Sequence, residues 1–141
     1  MKIQKNVFEE IIKAVPYVPP ESGGIIGGTN QVVTHFVLDN GTFLSNGYDI
    51  YAPDTLFLNN TIQRWKQDGI DFYGVFHCHF SNSILLSNGD KRYITQIMNA
   101  MPQYINKLYF PIIFPRENMI VYRADRVGKD ICLASEDIEL Y

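Results

Sequence analysis

Three side chains of types that bind metal ions lie close together in the sequence: His77, His79 and Asp90. The two histidines end the run 70–79, whose apolar and aromatic residues predict a buried central strand. Because side chains on a strand alternate between its two faces, His77 and His79 point the same way and Cys78 points to the other face. Two imidazoles that converge on one point are the beginning of a zinc site, whereas Cys78 is interpreted as a small core residue.

Asp90 is the third candidate ligand. Ser87 and Asp90 follow the strand and open a predicted helix, so the carboxylate lies at the carboxyl end of the central strand, where ligand sites of open α/β sheets usually form. A His-His-Asp set leaves the fourth position of a tetrahedral zinc ion free, which is the catalytic rather than the structural pattern. Ser87 and Asp90 also have the spacing of a capping box, and paired histidines on strands arise by chance. The residues alone leave both interpretations open.

Helices alternate with strands along the chain, which predicts an α/β fold with a mixed sheet in a single domain over residues 1–141. Val7, Ile11 and Val15 form the stripe of an amphipathic first helix that ends before Pro16. The apolar residues Ile25 and Ile26, between the Gly23-Gly24 and Gly27-Gly28 pairs, predict a short buried strand. The further helices are predicted from Pro53 to residue 68 and at 88–101, and the further strands at 31–38, 42–49, 70–79, 107–114, 119–123 and within 131–141.

The composition excludes several classes of function. The chain has 141 residues, of which 46% are hydrophobic and 19% charged, so it can bury a core without disulfides or a structural metal. Its net charge is −3 and its lysines and arginines form no stripe, which argues against binding to nucleic acid or to an anionic membrane. No apolar run is long enough to span a membrane, and Glu9 and Glu10 interrupt any signal-peptide core. Two cysteines without paired spacing favour a reducing, cytoplasmic setting.

The order Glu21…His77-Cys78-His79, seven residues, Ser87, two residues, Asp90 resembles the signature of the JAB/MPN (JAMM) zinc metalloproteases. The glycine-containing segment after Glu21 also resembles that of prokaryotic members. The resemblance covers nearly the whole chain and implies a single-domain α/β/α sandwich of the cytidine deaminase-like type. Two positions differ from the usual family pattern: Cys78 stands where Ser or Thr is usual, and Phe80 where Pro is usual.

The resemblance also implies roles for these residues. His77, His79 and Asp90 would bind Zn²⁺, Glu21 would take a proton from the attacking water and pass it to the leaving amine, and Ser87 would donate a hydrogen bond to the oxyanion. The function so implied is hydrolysis of a peptide or isopeptide bond. The partner would be a protein or peptide substrate, with the C-terminal tail of a ubiquitin-like or sulfur-carrier protein as a candidate.

Two alternatives come from other classes. Family members that lack the metal ligands serve as non-catalytic, protein-binding scaffolds, and the complete ligand set here argues against that role. A zinc deaminase would need a His-x-Glu motif and paired cysteines, and neither Cys78 nor Cys132 has a partner at that spacing. The remaining histidine, His35, is predicted to share a strand face with Val33 and Val37 and to be structural.

Overall fold

In a computed structural model, the sheet that carries the candidate ligands is mixed, and its strands lie between Lys2 and Leu140 in the sequence. The structure describes residues 1–41, 51–81 and 83–141, so the strand predicted at 42–49 lies outside the described residues. In these residues the helices are α1 (Lys5–Ala14), α2 (Thr55–Gln67) and α3 (Asn88–Ala100). The strands are β1 (Lys2–Ile3), β2 (Gly23–Thr29), β3 (Val32–Asp39), β4 (Asp71–Cys78), β5 (Lys107–Phe114), β6 (Asn118–Val127), β7 (Asp130–Glu136) and β8 (Glu139–Leu140).

The strand order places β4 near the middle of the sheet. The described strands follow the order β7-β6-β5-β4-β2-β3-β1-β8. β4 pairs parallel with β5 and antiparallel with β2, and β1 is parallel to both β3 and β8. Because hydrogen-bonded neighbours cover both sides of β4, its backbone is held firmly up to the histidines.

Helices pack on both faces of the sheet, as the α/β/α prediction required. Val7 and Ile11 of α1 are buried on one face together with Phe76 and Cys78 of β4. On the other face, α2 and α3 bury a second cluster against Val75 and its neighbours, to which the helices contribute Leu58, Trp65, Ile94 and Met98. The alternation of Val75, Phe76 and Cys78 between the two clusters is the alternation predicted for this strand.

The sheet curls until its two edges approach each other. β7 and β8 stand at opposite ends of the strand order, yet only Asp137 and Ile138 separate them in the sequence. The amino group of Met1 donates to the Glu136 carboxylate at 2.9 Å, and the Glu139 amide donates to the Met1 carbonyl at 2.9 Å. The predicted tail strand is therefore two strands, the seven-residue β7 and the two-residue β8, one at each edge.

The prediction that His35 shares a strand face with Val33 and Val37 is wrong. In the pairing of β2 with β3, Gly27 stands opposite His35 and Gly28 opposite Val33, so Thr34 is an extra residue that forms a β-bulge. The bulge puts Val33 and Val37 in the clusters on opposite faces. His35 is exposed and pairs with the Thr34 hydroxyl at 2.7 Å.

None of the helices in the described ranges is long and apolar enough to cross a membrane.

Candidate metal centre

The side chains of His77 and His79, at the end of β4, lie on the face of the sheet that packs against α2 and α3. Val75 belongs to the cluster on that face, and Phe76 and Cys78 belong to the opposite one, so His77 lies on the Val75 side. His79 follows the last residue of β4, and its amide still donates to the Ile113 carbonyl at 3.0 Å, so the strand geometry persists to the second histidine. As predicted, both imidazoles lie on one side.

The two imidazoles and the Asp90 carboxylate converge on one point. The Nε2 atoms of His77 and His79 are 2.9 Å apart, Asp90 Oδ1 is 3.4 Å from His77 Nε2, and Oδ2 is 3.5 Å from His79 Nε2. Two atoms bound at a tetrahedral angle to one zinc ion at ~2.0–2.1 Å lie about 3.3 Å apart, so this spacing fits a shared metal ion. The three side chains are 12–20% exposed, which leaves the point where they meet accessible from solvent.

The start of α3 fixes Asp90 through a capping box. The Ser87 hydroxyl accepts from the Asp90 amide at 3.0 Å, and the Ser87 amide donates to Asp90 Oδ2 at 2.9 Å. The capping interpretation is confirmed for Asp90 and is compatible with the ligand interpretation, because the same carboxylate closes the box and faces the histidines. The Ser87 oxygen uses a lone pair in the cap, so its own proton stays free to donate elsewhere.

The loop after β4 orients His79. Its Nδ1 lies 3.3 Å from the Ser83 carbonyl, and a proton donated there leaves Nε2 as the free lone pair that faces Asp90 and His77. The Tyr122 hydroxyl donates to the Ile84 carbonyl at 2.6 Å and ties the same loop to β6. These contacts define the path of the loop that carries Phe80, and they involve backbone atoms that no sequence motif reveals.

Glu21 lies beside the three ligands on the same face. Gly23 stands opposite His77 in the register of β2 with β4, and the Cys78 amide donates to the Ser22 carbonyl at 2.9 Å, so the pairing continues and Glu21 comes opposite His79. Residues directly opposite in an antiparallel pair share a face. Ser22 and Cys78 accordingly meet on the other face, where Cys78 is fully buried.

The charges of the site shape its proton affinities. Burial would raise the pKa of Asp90, but hydrogen bonds with His77, His79 and the Ser87 amide outweigh it and hold that pKa well below its usual range. Contact with Asp90 raises the pKa of His79 in spite of its burial. Burial raises the pKa of Glu21, although the two histidines oppose the shift. A proton is therefore held more readily on Glu21 than on Asp90, which stays anionic as a ligand requires.

The structure thus brings together every residue that the sequence singled out for the site. His77, His79 and Asp90 form a group that could hold a metal ion. Cys78 lies on the opposite face, with its thiol pKa raised mainly by burial. Tyr51 was not predicted to take part in the site, yet its ring lies over Gly23 beside His77.

Comparison with known proteins bears on the fold. No family model and no curated protein match the sequence. Among solved structures, a protein from Desulfitobacterium hafniense superposes with a TM-score of 0.69 at 21% identity, covering 99% of this chain and 92% of that one. A JAB1/MPN domain protein from Archaeoglobus fulgidus superposes with a TM-score of 0.56 at 18% identity, covering 99% and 98%. The chain has an MPN-like fold. A protein from Salinibacter ruber shares this fold, with a TM-score of 0.55 at 14% identity, covering 98% and 90%.

Proposed function

We propose that this MPN-like protein is a zinc-dependent peptidase or isopeptidase. The observation that carries the proposal is the convergence of His77 Nε2, His79 Nε2 and the Asp90 carboxylate within 2.9–3.5 Å of one another. Two imidazoles and one carboxylate are a common catalytic zinc set, and three protein ligands leave one position open. The partial exposure of all three side chains supports access of a substrate to that position.

Glu21 and Ser87 have the chemistry needed around such a centre. Bound zinc would acidify a water molecule to a pKa of roughly 7 and polarise the scissile carbonyl. Glu21, whose raised pKa suits proton transfer, takes a proton from the attacking water and delivers it to the amine nitrogen as the C–N bond breaks. The Ser87 proton, which the helix cap leaves free, is donated to the developing oxyanion.

The substrate class in this proposal is a protein or peptide. The loop beside the centre exposes the apolar side chains Phe80, Ile84 and Leu85, which are 36–70% exposed and suit an apolar stretch of polypeptide better than a small polar molecule. The family resemblance supports the C-terminal tail of a ubiquitin-like or sulfur-carrier protein as a candidate. The free thiols of Cys78 and Cys132 support a cytoplasmic setting for the reaction.

The test uses zinc-loaded protein and two probes: a sulfur-carrier protein with a short peptide after its Gly-Gly terminus, and an internally quenched peptide library. Cleavage is followed by mass spectrometry. We expect wild type to cleave one of them, His77→Ala to lose both zinc and cleavage, and Glu21→Gln to keep zinc but lose cleavage. Glu9→Gln, an exposed glutamate of α1, is the matched control and should behave as wild type. Cleavage by Glu21→Gln at the wild-type rate would contradict the proposal.

A non-catalytic scaffold is the second candidate, and the exposed apolar loop is the observation that favours it. A scaffold would hold a protein partner through Phe80, Ile84 and Leu85 without chemistry at the histidines. It is supported if zinc-loaded wild type cleaves neither probe while a captured partner binds His77→Ala as tightly as wild type. Loss of binding in that variant would count against it.

A further inference from the structure

A buried carboxylate at the end of β3 binds described residues that follow β3 and precede α2. Asp39 is 4% exposed and accepts three hydrogen bonds from the described residues. The Gly41 amide donates to Oδ1 at 2.8 Å, and the Tyr51 hydroxyl and the Asp54 amide donate to Oδ2 at 2.7 and 2.9 Å. A buried charge persists only where such donors surround it, so the carboxylate and these donors depend on each other.

Tyr51 links Asp39 to the strand that lies beside the candidate metal centre. A Cβ atom on Gly23 would lie 2.5 Å from Tyr51 Cε1, so the ring rests directly on the backbone of β2 where glycine leaves room. Gly23 is the residue that pairs with His77. Glu21 lies two residues before Gly23 in the chain, and the nearby Tyr51 backbone partly opposes the rise in the pKa of its carboxyl that burial causes. Tyr51 therefore contacts Asp39 through its hydroxyl and Gly23 through its ring, and Gly23 lies two residues from Glu21.

We propose that Asp39 and Tyr51 are positioning residues that hold Glu21 in place for proton transfer. Strand pairing holds Glu21 on its Ser22 side, but on its other side it follows the exposed Tyr17 and Val18. The Tyr51 ring, which packs on Gly23 and is fixed in turn by Asp39, supplies support at the start of β2, next to Glu21. Displacement of a catalytic group by about 1 Å can cost 10²-fold in rate, which is why such support matters. This inference rests on the proposed function of Glu21.

The deciding variant is Tyr51→Phe, which keeps the ring over Gly23 and removes only the hydroxyl that binds Asp39. We expect turnover to fall by about tenfold or more, while KM and the bound zinc stay within a factor of about two. Tyr73→Phe is the matched control, because it also removes one hydrogen-bonded tyrosine hydroxyl, which accepts from the Gln31 amide at 2.9 Å. That control should turn over as wild type.

Two further measurements separate positioning from support of the fold. Asp39→Asn replaces the carboxylate that accepts all three hydrogen bonds, and its loss of turnover should not add to that of Tyr51→Phe if both act through one contact. The ¹³C carboxyl resonance of Glu21, assigned with Glu21→Gln, should shift in Tyr51→Phe and stay in place in Tyr73→Phe. If Asp39→Asn does not fold, the turnover of Tyr51→Phe and the Glu21 resonance in that variant decide whether Tyr51 positions Glu21.

The outcomes are distinct. The inference is overturned if Tyr51→Phe lowers the melting temperature but leaves turnover and the Glu21 resonance as in wild type, because Asp39 and Tyr51 then only stabilise the fold. If wild type shows no hydrolysis that depends on Glu21, the proposed function fails. The Glu21 resonance still decides the positioning claim in that case, since it is read in zinc-loaded and metal-free protein without substrate.

Discussion

Ser87 carries two roles on one hydroxyl, and substitutions can separate them. Its oxygen caps α3 by accepting from the Asp90 amide at 3.0 Å, and in the proposed reaction its proton is donated to the oxyanion. Ser87→Ala removes both roles. Ser87→Asp keeps a side-chain acceptor of equal capping quality but has no proton to donate at neutral pH. Ser87→Thr keeps both.

The magnitudes of the two losses differ enough to be told apart. Loss of a cap costs about 1 kcal/mol, which lowers the melting temperature of a domain of this size by roughly 2–4 °C. Loss of one oxyanion donor lowers turnover by about 10²–10³, or about 2.7–4 kcal/mol of transition-state stabilisation. Ser87→Ala should show both effects, and Ser87→Asp should lose turnover while it melts close to wild type.

Melting is followed by circular dichroism on metal-free protein, and turnover is measured on zinc-loaded protein with the cleaved probe. Zinc content is measured for each variant, because the added charge of Ser87→Asp lies near the ligands. The reasoning is refuted if Ser87→Asp recovers turnover together with stability, since the hydroxyl would then act only as a cap. It is also refuted if turnover falls only in proportion to bound zinc.

Other predictions concern the sheet and its closure. Burial would raise the pKa of Glu136, but the Met1 amino group and Arg123 outweigh burial and lower that pKa. The ion pairs of Glu136 therefore stabilise the fold above about pH 4, and this stabilisation is lost as the carboxylate is protonated at lower pH. Glu136→Gln should melt below wild type at pH 7, with the gap closing towards pH 3 in thermal melts. Gly74→Ala should destabilise strongly in urea unfolding, because its Cβ would lie 1.8 Å from the Tyr109 carbonyl oxygen; a midpoint like that of wild type would contradict the close approach. Cys78→Ser should leave zinc content unchanged in metal analysis, since Cys78 lies on the opposite face from the ligands.

The placement of the two histidines and Asp90 could be predicted from the sequence because the rules that govern it are local, whereas only the family resemblance indicated Glu21. Strand alternation alone put His77 and His79 on one face, and the spacing to Ser87 and Asp90 placed the carboxylate at the start of the next helix. The capping box and the ligand set looked like competing interpretations in the sequence. In the structure the carboxylate that closes the capping box also faces both histidines, which spacing alone could not reveal.

The parts that escaped prediction depend on tertiary contacts. The bulge at Thr34 changes which residues of β3 point to each face of the sheet, and no residue type in that strand predicts the bulge. β1 and β8 have two residues each and depend on pairing with distant residues, β1 with β3 and β8, and β8 with β1. In the sequence Asp39 precedes Asn40-Gly41, a turn signal, and therefore looks like an ordinary turn residue. Its partner Tyr51 lies twelve residues away, so the sequence does not reveal their hydrogen bond.

Zinc binding itself tests the central claim most directly. Titration of metal-free protein with zinc, followed by X-ray absorption at the zinc edge, should give one ion per chain, with two imidazole nitrogens and a carboxylate oxygen at about 2.0–2.2 Å. His77→Ala and Asp90→Ala should each abolish stoichiometric binding. Wild-type protein that binds no zinc, or variants that bind it unchanged, would contradict the account.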